Sequence, residues 1–172
     1  MRGTTHSAGG LLFAVALLYA MGVKEVAHEE EVLLAASAFG ALIPDIDHQG
    51  SKISKMNHAS KIVSVVVSSL SRHRGITHTV PFCVAAAAPV FLLWKAGIHL
   101  MFPLGVGLFL GMVSHLVLDS FNPTGIMWMY PAKKKHYHIM RIRTGSVGET
   151  VFMIAVVALI AYLASGMTLK LF

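Results

Sequence analysis

Histidine and aspartate side chains stand at the ends of apolar segments in this chain, where their residue types could bind metal ions. The motif "SHLVLD" places His115 and Asp119 four residues apart, so on a helix they share one face about one turn apart. This spacing allows two side chains to bind one ion or two adjacent ions. A carboxylate within a membrane helix costs about 3 kcal/mol unless water or a partner satisfies it. Metal binding meets that need; the alternative is an aspartate at a helix end beside the solvated membrane surface.

A second motif, "IPDIDH", carries carboxylates on a predicted turn. Pro44 disfavours a helical conformation for the residue before it, so Asp45, Asp47 and His48 are expected on a turn that follows an apolar segment. In an extended turn Asp45 and Asp47 point the same way, which suits the bridging of two cations. A simple turn or cap explains the same residues.

A third motif, "HRGITH", leads into another apolar segment. His73 and His78 flank Gly75 at a spacing too irregular for one helical face but natural for a loop that feeds a helix N-terminus. Thr77 is expected to cap that helix, and Arg74 is expected to bind an anion there. A solvated loop is the alternative for either histidine.

All these groups, together with His6 before the first apolar segment and Glu149 at the start of the last, fall on the same side of the predicted membrane segments. Five separate segments thus deliver metal-type ligands to one membrane face, which independent surface residues would not readily produce. The candidate metal ligands are His6, Asp45, Asp47, His48, His78, His115, Asp119 and Glu149.

An arginine beside a metal centre is the arrangement expected for phosphate chemistry. Cations polarise a phosphoryl oxygen and activate water, while a guanidinium holds the remaining oxygens in a bidentate manner. The candidate catalytic residues are Asp47, with Asp45 as the alternative general base, and His73 and Arg74, which would orient the phosphate. Two other functions stay open. One is a metal or proton transporter, whose ligands would lie near the membrane midplane, and the other is a non-catalytic protein whose closed metal site ties helices together.

The composition indicates an integral membrane protein. Of the 172 residues, 55% are hydrophobic and 13% are charged, and the mean hydropathy is +0.68, well outside the ordinary range of soluble proteins. The length fits a single domain, taken as residues 1–172, because domains usually have about 100–200 residues. Cys83 is the sole cysteine, so no intramolecular disulfide can form.

The hydropathy pattern predicts an all-α, polytopic membrane helix bundle of about five segments, four long and one short. The four long segments approach the roughly 20 residues that cross the hydrocarbon, whereas the second segment alone would be a re-entrant or buried helix. Segments three and four should form an antiparallel hairpin, and Gly107 and Gly111 make a small-residue face for close helix packing. A signal peptide is the alternative for the first segment, although no convincing cleavage site follows it. The segments cover about 7–23, 32–44, 79–98, 100–118 and 149–168.

The basic residues sort to one side of this bundle. If all five segments cross, eleven of the fourteen lysines and arginines fall on the side that holds the N-terminus and the connections 45–78 and 119–148. The positive-inside rule puts that side, with the site, in the cytoplasm and the C-terminus outside. The acidic "HEEE" at 28–31 then falls outside as a solvated loop. For the 45–78 connection, a helix lying at the interface and an irregular loop packed on the bundle are both open.

The motifs together resemble the YdjM-like family of inner-membrane proteins, which are described as membrane-bound metal-dependent hydrolases. The resemblance rests on "LIPDIDHQGS", "HRGITHT" and "SHLVLDSFNPTGIMWMYP", with His6 in front and Gly-x-x-x-Glu149 before the last helix. These motifs span nearly the whole chain. More remotely, the order of the ligands is similar to that of the zinc-dependent phospholipases C and single-strand nucleases, all-helical enzymes that cleave phosphoesters. The matching positions are His6, Asp45, His78, His115, Asp119 and Glu149.

The resemblance implies a phosphoester hydrolase that uses a divalent metal, zinc or alternatively manganese. The phospholipases place a histidine four residues before the late glutamate, where this chain has Gly145, so one or two ions are expected in place of three. His136 and His138 are alternative nitrogen ligands, but "KKKHYH" is typical of a basic surface facing lipid headgroups. The expected partners are the lipid bilayer and an anionic, phosphorylated, amphiphilic substrate at the cytoplasmic face. A nucleic acid substrate is not favoured, because no aromatic-interleaved basic groove is evident.

Overall fold

The computed structural model of the chain describes residues 1–47 and 75–169. Within them lie five α-helices: α1 (Gly3–Ala20), α2 (His28–Gly40), α3 (Val80–Lys95), α4 (Met101–Asp119) and α5 (Val147–Ala164). The predicted all-α bundle of five segments is confirmed, and each helix overlaps one predicted segment. His48, His73 and Arg74, as well as most of the 45–78 connection, lie outside the described residues.

The second helix begins earlier than the hydropathy pattern indicates. The acidic stretch 28–31, expected as a solvated loop, forms the first turn of α2. The Glu30 carboxylate accepts a hydrogen bond from the Ala27 amide at 3.0 Å. Acidic residues are favoured at this position because the unsatisfied amides of a helix N-terminus carry partial positive charge. This electrostatic preference extends α2 by one turn at its N-terminus. The hydropathy pattern does not detect this turn because its residues are polar.

A short 3₁₀ helix ends the first described range, and another lies near the start of the second. Ile43–Asp47 follows α2 and Ile76–His78 precedes α3. The cap of α3 is Thr79, whose side chain accepts from the Phe82 amide at 3.2 Å. The expected cap, Thr77, lies inside the 3₁₀ turn, which leaves its hydroxyl available for the site described below.

Helix α4 is the centre of the bundle and packs against α1, α2 and α3. Gly107 and Gly111 permit the close approach of α2, because a Cβ at Gly107 would collide with the backbone oxygen of Leu33 and one at Gly111 with that of Ser37. The predicted small-residue face is therefore confirmed. His115 and Asp119, near the end of α4, are both buried.

Two of the described helices, α4 and α5, are long and apolar enough to cross a membrane. They differ in surroundings, because half of α4 is buried inside the protein whereas almost all of α5 faces outward. At the far end of the bundle, Glu25–Val26 (β1) pairs in parallel with Thr168–Leu169 (β2). This pairing holds the chain after α1 next to the chain after α5, so both helices end on the same side.

Candidate metal centre

Four helix ends bring five of the predicted ligands into one cluster. His6 comes from the first turns of α1, Asp45 from the 3₁₀ helix after α2, His78 from the 3₁₀ helix before α3, and His115 with Asp119 from the end of α4. The side chains of the three histidines and Asp119 are almost completely buried, and that of Asp45 is 21% exposed. Asp45 is therefore the cluster's most accessible member.

The centre of the cluster is a pair of imidazole nitrogens. The Nε2 atoms of His78 and His115 lie 3.2 Å apart. Oδ1 of Asp45 lies 3.5 Å from the first and 3.7 Å from the second. Oδ2 of Asp119 lies 3.7 Å from each. Each carboxylate oxygen thus lies close to both nitrogens. The described residues form three overlapping groups that could hold an ion: His78, His115 and Asp119; His6, Asp45 and His115; and Asp45, Asp47 and His78.

The opposite nitrogen of each ring is held by a hydrogen bond. Nδ1 of His115 lies 2.7 Å from the carbonyl oxygen of Ala41, to which it can only donate. Nδ1 of His78 lies 3.0 Å from the Thr77 hydroxyl, which donates its own hydrogen to Oδ2 of Asp47 at 2.9 Å. Each Nδ1 therefore carries the ring hydrogen, and each Nε2 presents a lone pair to the centre.

Asp47 contacts His78 on the side of the ring that faces away from His115. Its Oδ2 lies 3.7 Å from Nδ1 of His78 in addition to the contact with Thr77. It is buried, as is Thr77. A carboxylate that fixes the tautomer and orientation of a histidine is a common outer partner of metal ligands. The geometry favours this role for Asp47 over that of general base.

His6 closes another side of the cluster. Its ring stacks on His115, with centroids 3.7 Å apart, and its Nε2 lies 3.4 Å from Oδ1 of Asp119. Both ring nitrogens are buried without a hydrogen-bond partner. The same Asp119 oxygen accepts from the Asn122 amide at 2.6 Å and from the Met1 amino group at 3.1 Å. Asp119 thus directs one oxygen to His78 and His115 and the other to His6.

The Asp45 carboxyl is ionised in this setting. Burial acts to raise its pKa, but the hydrogen bond with His78 and the charges of His115 and His6, which act when these rings are protonated, outweigh burial, so the pKa lies below its ordinary value. A permanently charged carboxylate at the accessible edge of the cluster favours a cation.

Glu149, expected as a ligand, has a different set of partners. Its Oε1 accepts from the Arg2 amide and from the Thr5 hydroxyl at 2.9 Å. Its Oε2 accepts from the Gly145 amide at 2.6 Å. Both oxygens therefore accept hydrogen bonds that connect the start of α1 to the start of α5. None of the metal-type groups among the described residues includes Glu149.

The alternative nitrogen ligands also lie apart from the cluster. His136 and His138 are exposed, and Nδ1 of His136 lies 3.2 Å from the Thr124 carbonyl oxygen. The whole stretch 131–141 is exposed and contains four basic residues. It therefore has the exposure and charge of a headgroup-facing surface.

Reasoning from sequence missed the residues that support the ligands. The Ala41 carbonyl gives no signal, because every residue has one. Asn122 lies three residues after Asp119 and could have been noticed as a short-range donor. Thr77 is predicted as a helix cap, and in the structure its hydroxyl contacts His78 and Asp47.

Comparison with known proteins places the chain in a family. The model of the family described as "YdjM inner membrane protein" matches residues 1–171. The chain belongs to the YdjM inner membrane protein family. This confirms the resemblance that the motifs indicate. The more remote likeness to phospholipases and nucleases stays a prediction, and no solved structure matches the chain.

Two relatives illustrate the spread of the YdjM family. "Uncharacterized protein YvsG" from Bacillus subtilis is 37% identical over 150 residues, which are 87% of this chain and 85% of that protein. "Inner membrane protein YdjM" from Escherichia coli is 27% identical over 101 residues, which are 59% of this chain and 50% of that protein. The chain is similar to the first over most of both lengths.

Proposed function

We propose that this YdjM-family protein binds one or two divalent cations, zinc or alternatively manganese, and uses them to hydrolyse a phosphoester of an amphiphilic substrate at the cytoplasmic membrane surface. The supporting observation is the contact between Nε2 of His78 and Nε2 of His115. Two nitrogen lone pairs at this distance repel each other unless a positive charge lies between them. The Asp119 carboxylate, whose Oδ2 lies 3.7 Å from both nitrogens, favours a divalent ion over a single proton.

The spacing of the ligand atoms of His78, His115 and Asp119 fits a metal ion. Ligands bound to zinc at about 2.0–2.2 Å in tetrahedral geometry lie roughly 3.3–3.6 Å from one another. The separations among these three residues range from 3.2 Å between the two histidines to 3.7 Å between each histidine and Asp119. His78, His115 and Asp119 would hold this ion, and Asp45 would bind a second ion together with His6 and His115. His6, which shares Asp119 with them and has no other polar partner, would hold a second ion or supplement the first.

In the proposed hydrolysis, the cation and the protein residues would have separate roles. A bound divalent cation supplies Lewis acidity toward a phosphoryl oxygen and lowers the pKa of water. The chain fixes both ligand rings through Ala41, Thr77 and Asp47. Substrate would approach from the edge at Asp45, whose side chain is 21% exposed and is the most accessible of the cluster. His73 and Arg74, which precede His78 in the sequence, remain the predicted phosphate-binding residues.

The placement of the cluster supports hydrolysis at a membrane surface over transport. An ion path through the bilayer uses ionisable groups near its midplane. Here every ligand comes from the start or the end of a helix. The opposite ends of α1 and α5, joined through β1 and β2, carry none of these ligands.

A structural metal site is the second candidate, and one observation favours it. The candidate ligands His6, His115 and Asp119 are almost completely buried, whereas a catalytic zinc usually keeps a position open. One or two ions enclosed in this way would only join α1, α2, α3 and α4.

Metal analysis of detergent-purified protein tests the first part of the proposal. We expect one or two zinc or manganese ions per chain, and their loss in His115→Ala and Asp119→Ala, because each variant removes a central ligand. His138→Ala is the matched control, since His138 is exposed and outside the cluster. Unchanged metal content in both ligand variants would rule out the site.

A phosphoester panel, containing phospholipids and nucleotides, separates the two candidates. A hydrolase should cleave at least one phospholipid-like member, and a chelator should abolish this activity while added zinc restores it. A structural site predicts no cleavage and a lower unfolding temperature after chelation.

A further inference from the structure

An apolar groove runs along the outward face of α5, separate from the metal cluster. Its volume is about 500 Å³. Six residues of one helical face form its length: Thr150, Met153, Ile154, Val157, Ala158 and Ala161. Arg2, Thr5 and Glu149 form its polar end. The groove is therefore amphipathic, with charge at one end only.

The dimensions of the groove match one leaflet of a membrane. Thr150 and Ala161 are eleven residues apart, or about 16 Å at 1.5 Å per residue. The hydrocarbon core of a bilayer is about 30 Å thick, so one leaflet is about 15 Å. Helix α5 is long and apolar enough to span a membrane, and a membrane-spanning α5 would turn this groove toward lipid. An extended acyl chain fits the length and the polarity of this surface.

The polar end offers a preformed contact for a phosphate. The Arg2 side chain is 51% exposed, and its Nη2 donates to the Gly145 carbonyl at 3.2 Å. This bond holds the guanidinium in place while other N–H groups remain on the exposed side. The guanidinium also forms an ion pair with Glu149, whose Oε2 lies 3.8 Å from its Nε. Because Glu149 is only 1% exposed and accepts from amide and hydroxyl donors as well, the half-exposed guanidinium is the group that an anion can reach. A fixed guanidinium suits bidentate recognition of phosphate.

We propose that this groove binds one phospholipid, with an acyl chain along α5 and the phosphate at Arg2. Thr5 faces the groove and the next residue, His6, belongs to the cluster, so the lipid headgroup lies beside the candidate metal centre. The site does not require the proposed hydrolysis. A lipid bound here is either a substrate or a structural lipid, and the binding experiment is independent of metal content and turnover.

Native mass spectrometry of delipidated protein, titrated with dioleoyl phosphatidylglycerol, tests the proposal. The wild type should retain one lipid per chain. Ala158→Trp and Ala161→Trp, which fill the groove with an indole ring, should weaken binding at least about tenfold, or roughly 1.4 kcal/mol. Arg2→Gln should weaken it by a similar factor through loss of the phosphate contact.

Ala155→Trp is the matched control. Ala155 is exposed on α5 but lies about 120° around the helix from Ala161 and does not line the groove. It should bind lipid as the wild type does. Equal binding in all tryptophan variants, or equal loss in the control, would overturn the proposal.

Two further outcomes exclude other occupants. Glycerol 3-phosphate should not compete with the lipid, because it lacks the acyl chain; full competition would mean a phosphate site without a groove for lipid. A dimer that Ala158→Trp converts to monomer, with lipid binding unchanged, would mean that a second copy of the chain occupies the groove.

Discussion

At the scale of single residues, the cluster separates groups that face the candidate ion from groups that orient them. The Nε2 atoms of His78 and His115 point inward, and their Nδ1 atoms point to Thr77 and the Ala41 carbonyl. Asp47 completes the outer layer through Thr77. The lone pairs are therefore set by hydrogen bonds that exist before any ion binds.

Removal of an outer partner should weaken metal binding without abolishing it. In Asp47→Asn and Thr77→Val, His78 keeps its place but loses the bonds that fix its tautomer. We expect metal affinity to fall by about 10- to 100-fold, the usual cost of losing such a partner. Competition titration with a metal indicator measures this, with Glu29→Gln on the exposed first turn of α2 as the control. Complete loss of metal in Asp47→Asn would instead identify Asp47 as a ligand.

The residues that could be predicted from the sequence are those whose geometry is local. The i, i+4 spacing of His115 and Asp119 fixes their common face on any helix, and the structure places them accordingly. Residue type alone was insufficient for Glu149, because a buried carboxylate can be satisfied by amide donors as well as by a cation. The contact between Thr77 and Asp47 joins residues 30 positions apart. No local pattern contains such a contact.

At the scale of the helices, backbone contact between α2 and α4 positions two ligands. Gly111 lies one turn before His115, against the backbone of Ser37, and Ala41 lies one turn after Ser37. The sequence could predict that Gly107 and Gly111 allow close packing. The sequence could not identify α2 as the neighbouring helix, because a face of small residues permits close packing with any helix.

Separation of these two helices should therefore affect the cluster. Gly111→Ala forces a Cβ into the Ser37 carbonyl, and we expect destabilisation of about 1–3 kcal/mol as the helices move apart. The hydrogen bond between His115 and Ala41 should lengthen, so metal affinity should fall as well. Unfolding temperature and metal content measure the two effects. Gly166→Ala, at a position with open space around it, should change neither.

The contact between α1 and α5 depends on Glu149 in the same way. Glu149→Ala leaves the Arg2 amide, the Thr5 hydroxyl and the Gly145 amide without their acceptor. We expect a loss of about 2–4 kcal/mol in stability, because buried donors without partners are costly. Metal content should remain that of the wild type. Metal loss in a variant that remains folded would restore Glu149 to the ligand set, and Glu31→Ala, at an exposed position, is the control.

At the scale of the whole molecule, alternation of the helices explains why distant residues meet. Five helices that alternate in direction place the starts of α1, α3 and α5 at the same end as the ends of α2 and α4. The ligands occupy these positions, and the structure brings those of α1 to α4 together. The number of segments and the side of each ligand could be predicted from hydropathy. The choice of which ligands share an ion could not, because it depends on how the helices pack.

The direction of the bundle in the membrane is the remaining expectation at this scale. If all five segments cross, eleven of the fourteen lysines and arginines fall on the side of the N-terminus and the connections 45–78 and 119–148, which predicts that this side faces the cytoplasm. The pairing of β1 with β2 places the end of α5 at the opposite end of the bundle from the cluster. A reporter fused after Phe172 should therefore read as extracytoplasmic, and one fused in the exposed stretch 131–141 as cytoplasmic. If both reporters read as cytoplasmic, one segment fails to cross. Helix α2, with 13 residues, is then the segment that stays within one leaflet, because it is shorter than the roughly 20 residues that a span requires.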